Sequence, residues 1–190
     1  MFVRTERLTL RPFWPEDAPA LARAIGHESV VRNLAKVPWP YALGDAESFV
    51  ATRHRETPGP VFMIWAHEGD VIRLIGGMGL HPLEDGSHEF GYWLTPAAWG
   101  RGYATEAGRG VLQTARHTLR LKRVVAGHFV DNPASGRVLR KLGFCPTGKV
   151  EPRHSVGRGG EAPCATFELE LGGDGVDCNG PQDDRMAVAA

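Results

Sequence analysis

A short β-rich run ending at Leu94 hands over to the strongest amphipathic stretch of the chain. At the handover stands Trp99-Gly100-Arg101-Gly102-Tyr103-Ala104-Thr105-Glu106-Ala107. Ala104, Ala107, Val111, Leu112, Ala115 and Leu119 recur mostly at three- and four-residue steps, which predicts a long helix with one face laid on a sheet. Two glycines one residue apart leave the turn without shielding side chains. Successive N–H groups can then close around an anion at the positive end of the helix. Such a strand, bare turn and packed helix belong to a layered α/β architecture. The turn is not a Walker A loop, because no Gly-Lys-Ser/Thr follows, nor a dinucleotide fingerprint, because Thr105 occupies the third glycine position. Taken alone it also fits a plain chain reversal.

The rest of the chain supplies the sheet. Residues 7–11 alternate strictly, with Leu8 and Leu10 on one face, and read as a half-buried strand. Helices are expected from Pro15 to about Ile25, near Val30 to Leu34, and from Asp45 to Arg55. Between them Val37-Pro38-Trp39-Pro40-Tyr41 reads as a loop, whose aromatics either line a groove or cap the core. Three β-rich runs follow, at Val61 to His67, Val71 to His81 and Glu89 to Leu94. Gly69-Asp70 and Glu84-Asp85-Gly86 between them make an antiparallel meander the economical arrangement. After the long helix come a strand at Val124 to Val130, a helix at Pro133 to Leu142 opened by Asp131-Asn132-Pro133, and strands near Cys145 to Arg153 and Ala165 to Leu171.

At 190 residues the chain is long enough for one sizeable core and short for two, so a single domain is expected over residues 1–171. Residues 172–190 hold four Gly, four Asp and no Leu, Ile or aromatic, and are expected to form a flexible tail. Lys plus Arg and Asp plus Glu each number 22, so overall charge favours neither a nucleic acid nor an anionic membrane as partner. No apolar run approaches a bilayer span and the opening residues lack a signal-peptide core, which points to the cytoplasm. The three cysteines show no CxxC, and the eight histidines no ligand spacing, so no metal site is expected.

Four segments read together are more specific than the turn. They are Glu89 to Leu94 (EFGYWL), Trp99 to Ala107 (WGRGYATEA), Asn132 to Ser135 (NPAS) and Lys141 to Phe144 (KLGF). In order, spacing and context this set resembles the GNAT superfamily of acetyl-CoA-dependent N-acetyltransferases. The opening TERLTLRP at Thr5 to Pro12 is similar to the branch that includes ribosomal-protein alanine N-acetyltransferases. The resemblance covers roughly residues 3–171. It implies a central mixed, mostly antiparallel sheet of about seven strands flanked by helices. The fourth and fifth strands, Glu89 to Leu94 and Val124 to Val130, would splay into a slot for the pantetheine of acetyl-CoA. Backbone at Trp93 and Leu94 would hold pantetheine and the thioester carbonyl. The N–H groups of Gly100, Arg101, Gly102, Tyr103, Ala104 and Thr105 would hold the pyrophosphate.

Two departures from the family pattern matter. The Gln or Arg often found three residues before the first glycine is Ala97 here, which leaves the Arg101 side chain to supply charge. The Tyr that commonly protonates the leaving thiolate is Leu139, and Ser135 is the substitute that the resembled branch suggests. Acetyl transfer needs a neutral amine, a polarised carbonyl and a proton for the sulfur. Glu89 is the candidate base, or else a solvated charge at a strand end. Ser135 is the candidate acid, or else a plain helix residue. Asn132 reads as a helix N-cap and, by resemblance, as a ligand of a pantetheine amide. His128 reads as structural rather than basic, and Arg158 to Glu161 as a flexible turn, or else a substrate-contacting hairpin. The acceptor is then a peptide N-terminus or a small amine such as an antibiotic, polyamine or amino acid. A non-catalytic acyl-CoA-binding module is the alternative outside enzymes. The resemblance leaves a homodimer open.

Overall fold

The computed structural model describes residues 1–56 and 59–172. The expected tail, apart from Gly172, lies outside them. The strands are β1 (Val3–Arg4), β2 (Leu8–Arg11), β3 (Val61–Glu68), β4 (Val71–Pro82), β5 (His88–Leu94), β6 (Arg123–Phe129), β7 (Cys145–Ser155) and β8 (Gly160–Glu170). The helices are α1 (Ala18–Ile25), α2 (Glu28–Val31), α3 (Leu43–Glu56), α4 (Tyr103–His117) and α5 (Pro133–Lys141). All eight strands join one sheet in the order β1-β2-β3-β4-β5-β6-β8-β7. Every neighbouring pair is antiparallel except β5 and β6. The additional strand is the two-residue β1, too short to show a period in the sequence, and it makes the splayed pair the fifth and sixth.

Alternation along the strands sorts side chains into two cores. Phe62, Ile64, Phe90, Leu94, Val124 and Ala126 face the side covered by α4 and α5, against Ala107, Val111, Ala115 and Leu139. Met63, with Trp65 and Trp93 partly buried, faces the side covered by α1 and α3, against Phe13, Leu21, Ile25, Ala46 and Val50. The meander has the expected turns, and its register places Gly76 opposite Leu94 and Gly77 opposite Trp93. A crossover through α4 then returns the chain parallel to β5, the kind of connection that a parallel pair requires.

That parallel pair is short. His88, Glu89 and Phe90 of β5 meet Val124, Val125 and Ala126 of β6, and the pairing ends there. Beyond Phe90 and Ala126 the two strands diverge, and β6 keeps its register only with β8, as far as Phe129 opposite Cys164. The divergence leaves a slot in the middle of the sheet, open toward α4 and α5.

Two loops stand otherwise than the sequence suggests. Arg158 does not sit on a free turn: its guanidinium grips Asp131 with two nitrogens at 2.9 and 2.8 Å and donates to the Arg32 carbonyl at 2.5 Å. The buried Ser155 hydroxyl donates to the Leu34 carbonyl at 2.8 Å, and the Val156 amide donates to Ala35. The β7–β8 hairpin is thereby bound to the segment after α2. The aromatics of the 37–41 loop divide: Tyr41 lines the cleft described below, whereas Trp39 is exposed and stands apart from it.

Candidate active site

The slot opens into a continuous cleft of about 1370 Å³ bounded by β5, β6, the Gly100–Gly102 turn, α5 and the α1–α3 face. One wall is the turn itself. Gly100 and Gly102 have φ of 73° and 80°, the left-handed region where glycine is free of strain. Gly102 is also the N-cap of α4, and no side chain caps that helix. The amides of its first turn are therefore left for a ligand, and the helix adds positive potential where they point. Gly100, Gly102, Tyr103, Ala104 and Thr105 all line the cleft, as a phosphate cradle requires.

The Arg101 side chain does not belong to this wall. Its guanidinium pairs with Glu68 and lies 5.0 Å from the Tyr103 ring centroid, so the expectation that it replaces the missing cation at Ala97 is not met. Backbone N–H groups and the helix end carry the positive character of the turn instead, with Arg137 and Lys141 of α5 lining the cleft. Arg7 braces the turn from outside, donating to the Arg101 carbonyl at 3.2 Å and pairing with Glu106 at 2.7 Å.

Glu106, in the first turn of α4, joins the chain's opening to the cradle. It accepts from the Thr5 hydroxyl at 2.6 Å, the Arg7 amide at 2.9 Å and Arg7 Nε at 2.7 Å. Burial pushes its carboxyl up, but these bonds outweigh burial and hold it below the usual carboxylate range. A depressed folded value means stability that is present above the unfolded pKa of about 4.3 and lost as pH falls through the folded value. Glu106→Gln is therefore expected to lower the melting temperature by about 2–5 °C near pH 7. The gap to wild type should close below about pH 4 in a thermal-unfolding series.

The slot wall on β5 follows from strand register. The Thr95 amide donates to the Ile75 carbonyl at 2.8 Å, so by alternation Trp93 also turns its backbone toward β4, and Tyr92 and Leu94 turn theirs toward the slot. The Trp93 carbonyl confirms this, since a Cβ added to Gly76 on β4 would stand 2.2 Å from it. The expected backbone contact at Trp93 is thus corrected: Trp93 contributes its side chain to the cleft, and Leu94 and Tyr92 contribute backbone. The Leu94 carbonyl also accepts from the Trp99 indole at 2.8 Å, which ties the slot to the cradle turn.

Alternation also separates the two candidate proton-transfer groups. Glu89 shares a face with Trp93 on the α1–α3 side, where its Oε1 lies 2.5 Å from Nη1 of Arg153 on β7. Ser135, in the first turn of α5, lies on the opposite side. Asn132 caps α5, its side-chain carbonyl accepting from the Ser135 amide at 3.3 Å, and both residues line the cleft. The position where a family acid was sought, Leu139, is buried core. In its place the Tyr92 hydroxyl stands 2.8 Å from Ser135 Oγ. Burial pushes that phenol up to about 12, although the serine contact pulls the other way. Tyr92 and Arg153 both line the cleft, and sequence reasoning assigned neither a part in the proton transfers. The alternation of β5 carried a signal for Tyr92, since it shares a parity with Phe90 and Leu94. His128 also lines the cleft, with Nδ1 2.8 Å from the Phe129 carbonyl and its ring packed against Phe167.

A cradle of uncapped backbone amides, a backbone-lined slot and a carboxylate across from a hydroxyl are parts that acetyl transfer from a thioester can use. The family model described as "Acetyltransferase (GNAT) domain" matches residues 7–145. The chain belongs to the GNAT acetyltransferases. It is 32% identical over 150 residues to the "uncharacterized N-acetyltransferase YoaA" of Bacillus subtilis (strain 168), covering 75% of this chain and 81% of that one. It is 29% identical over 156 residues to the "putative ribosomal N-acetyltransferase YdaF" of the same organism, covering 76% and 81%. Among solved structures, the ribosomal L7/L12 α-N-protein acetyltransferase RimL in complex with coenzyme A superposes with a TM-score of 0.74. That match has 18% identity and covers 92% of this chain and 100% of that one. Acetyl-CoA is the acetyl donor of this GNAT acetyltransferase. Among the described residues no group of His, Cys, Asp and Glu is placed to hold a metal, and no helix is long and apolar enough to cross a membrane.

Proposed function

We propose that this acetyltransferase modifies the N-terminal amine of a protein, with Glu89 as general base and Ser135 as general acid. The observation that carries the acceptor reading is the charge economy of the cleft on the α1–α3 side. Phe13, Leu21, Ile25, Val37, Tyr41 and Phe49 wall it. Of its carboxylates, Glu89 is paired with Arg153, Asp131 is held by Arg32 and Arg158, and Asp45 accepts from the Ala42 amide. A polyamine needs carboxylates in surplus, whereas an N-terminal residue with a small or apolar side chain needs one carboxylate for its ammonium and an apolar wall for the rest. The similarity to a putative ribosomal N-acetyltransferase supports the same acceptor.

In this reading the cradle amides and the α4 N-terminus hold the pyrophosphate. Leu94 and Tyr92 backbone, with the Asn132 side-chain amide, pair with the pantetheine. The acceptor ammonium approaches from the Glu89 face and gives up its proton to that carboxylate, directly or through one water. The neutral amine attacks the thioester carbon, and the C–S bond breaks with its electron pair going to sulfur, which takes a proton from Ser135 on the opposite face; the extra proton on the acylated nitrogen passes to water, and Ser135 is re-protonated from water.

The test is thiol release from acetyl-CoA against a panel of Ala- and Ser-starting peptides, spermidine and free amino acids. Turnover on the peptides at least tenfold above the small amines is the expected result. Turnover confined to a small amine overturns the acceptor reading. Coenzyme A binding without turnover on any acceptor would replace the enzyme reading by a binding module.

A further inference from the structure

We propose that Tyr92 is the positioning residue of the proton-donating step, its phenolic O–H donating to Ser135 Oγ and thereby freeing the serine's own proton to point at the leaving sulfur. This rests on the reading of Ser135 as the acid. A donor seated on the Ser135 oxygen makes the serine the acceptor in its pair with Tyr92, so the hydroxyl proton is not spent on the phenol. The Tyr92 oxygen is 2.8 Å from Ser135 Oγ and 3.3 Å from the Ser135 carbonyl, so of the two acceptors the hydroxyl is the nearer.

The geometry suits that role in three further respects. Tyr92 lies on β5 just past the last residue paired with β6, so its side chain stands at the mouth of the splay. Its ring is held at the required angle by Phe90, 5.7 Å between centroids, and that ring is held in turn by Phe144. With its phenol raised to about 12, Tyr92 keeps its proton through the working range of an amine acetyltransferase and so retains a hydrogen to donate to Ser135 Oγ, 2.8 Å away. In the step itself the C–S bond of the tetrahedral adduct breaks and its electron pair moves to sulfur. The Ser135 proton goes to that sulfur, the extra proton on the acylated nitrogen passes to water, and Oγ is re-protonated from water on product release. The Tyr92 proton stays on Tyr92 throughout. A strand tyrosine acting through a helix serine thus stands in for the family tyrosine, whose position is the buried Leu139.

The experiment is a double-mutant cycle of Tyr92→Phe and Ser135→Ala, with kcat and the KM for acetyl-CoA measured from pH 6 to 10 and coenzyme A affinity followed by calorimetry. Phe keeps the ring and its contact with Phe90, so the fold and coenzyme binding serve as internal controls. Tyr92→Phe is expected to lower kcat about tenfold at every pH, with KM and coenzyme affinity changed less than twofold. The double variant should be no slower than Ser135→Ala alone, because Tyr92 acts only through that hydroxyl. Loss that multiplies in the double variant, or that appears as a KM change, overturns the proposal, as does Tyr92→Phe activity within twofold of wild type. If Ser135→Ala is itself fully active, the reading of Ser135 as acid falls first, and this proposal with it.

Discussion

Gly102→Val is expected to weaken coenzyme A binding about 100-fold, close to 2.7 kcal/mol, while leaving the fold in place. The argument turns on which part of the glycine is used. At φ 80° and ψ 0° Gly102 is the left-handed N-cap of α4. The nearest atom to an added Cβ is the tip of the Arg7 guanidinium at 3.6 Å, so a side chain there has room. The substitution therefore acts on the backbone. A β-branched residue in the left-handed region carries a strain of more than about 1–2 kcal/mol, and the turn relieves it by leaving that region. Once it does, the amides of Gly102, Tyr103 and Ala104 no longer converge on one anion. Calorimetric titration of coenzyme A, with circular dichroism to check the fold, measures the effect. Binding within threefold of wild type would mean that the pyrophosphate lies elsewhere.

The legible parts of this site were the parts that are local in sequence. The bare turn, the uncapped start of α4 and the Asn132 cap on α5 each rest on residues within a few positions of one another, so composition and spacing reveal them. The slot was legible only through resemblance, because divergence of β5 from β6 follows from how far pairing runs beyond Phe90, and nothing in either strand alone fixes that. Trp93 shows how the register decides a role. A one-residue difference in parity exchanges slot-facing backbone for sheet-facing backbone, and the parity is set by the pairing of Thr95 with Ile75 across the meander. Arg101 shows the same for a side chain, since its partner Glu68 belongs to β3. Tyr92 with Ser135, and Glu89 with Arg153, are contacts between residues 43 and 64 positions apart, and only the folded sheet brings them together. The Arg158 hairpin reads as a free turn because its glycines are local, whereas its anchor, Asp131, lies 27 positions earlier in the chain.

Glu89→Gln is expected to lower kcat/KM for the peptide acceptor about 10³-fold near pH 7, with coenzyme A affinity unchanged. The acceptor reaches the enzyme mostly as an ammonium, since a free α-amine has a pKa of about 8, and it cannot attack until a proton leaves. In the proposed reading Glu89 takes that proton, and at 24% exposure it can exchange it with solvent. Gln keeps the shape and still offers Arg153 an oxygen, so the ion pair is replaced by a neutral hydrogen bond and the surrounding wall is retained. What disappears is the site for the proton. The direction with pH follows: as pH rises through the pKa of the amine, more acceptor arrives already neutral, so the base is needed less and the gap should narrow toward about pH 9.5. Arg153 makes the alternative concrete. If Glu89 serves only to hold Arg153 against the cleft, then Glu89→Gln will change KM for the acceptor more than kcat, and the deficit will persist at high pH. A deficit in kcat that closes with rising pH assigns the proton to Glu89, and one that is flat assigns it elsewhere.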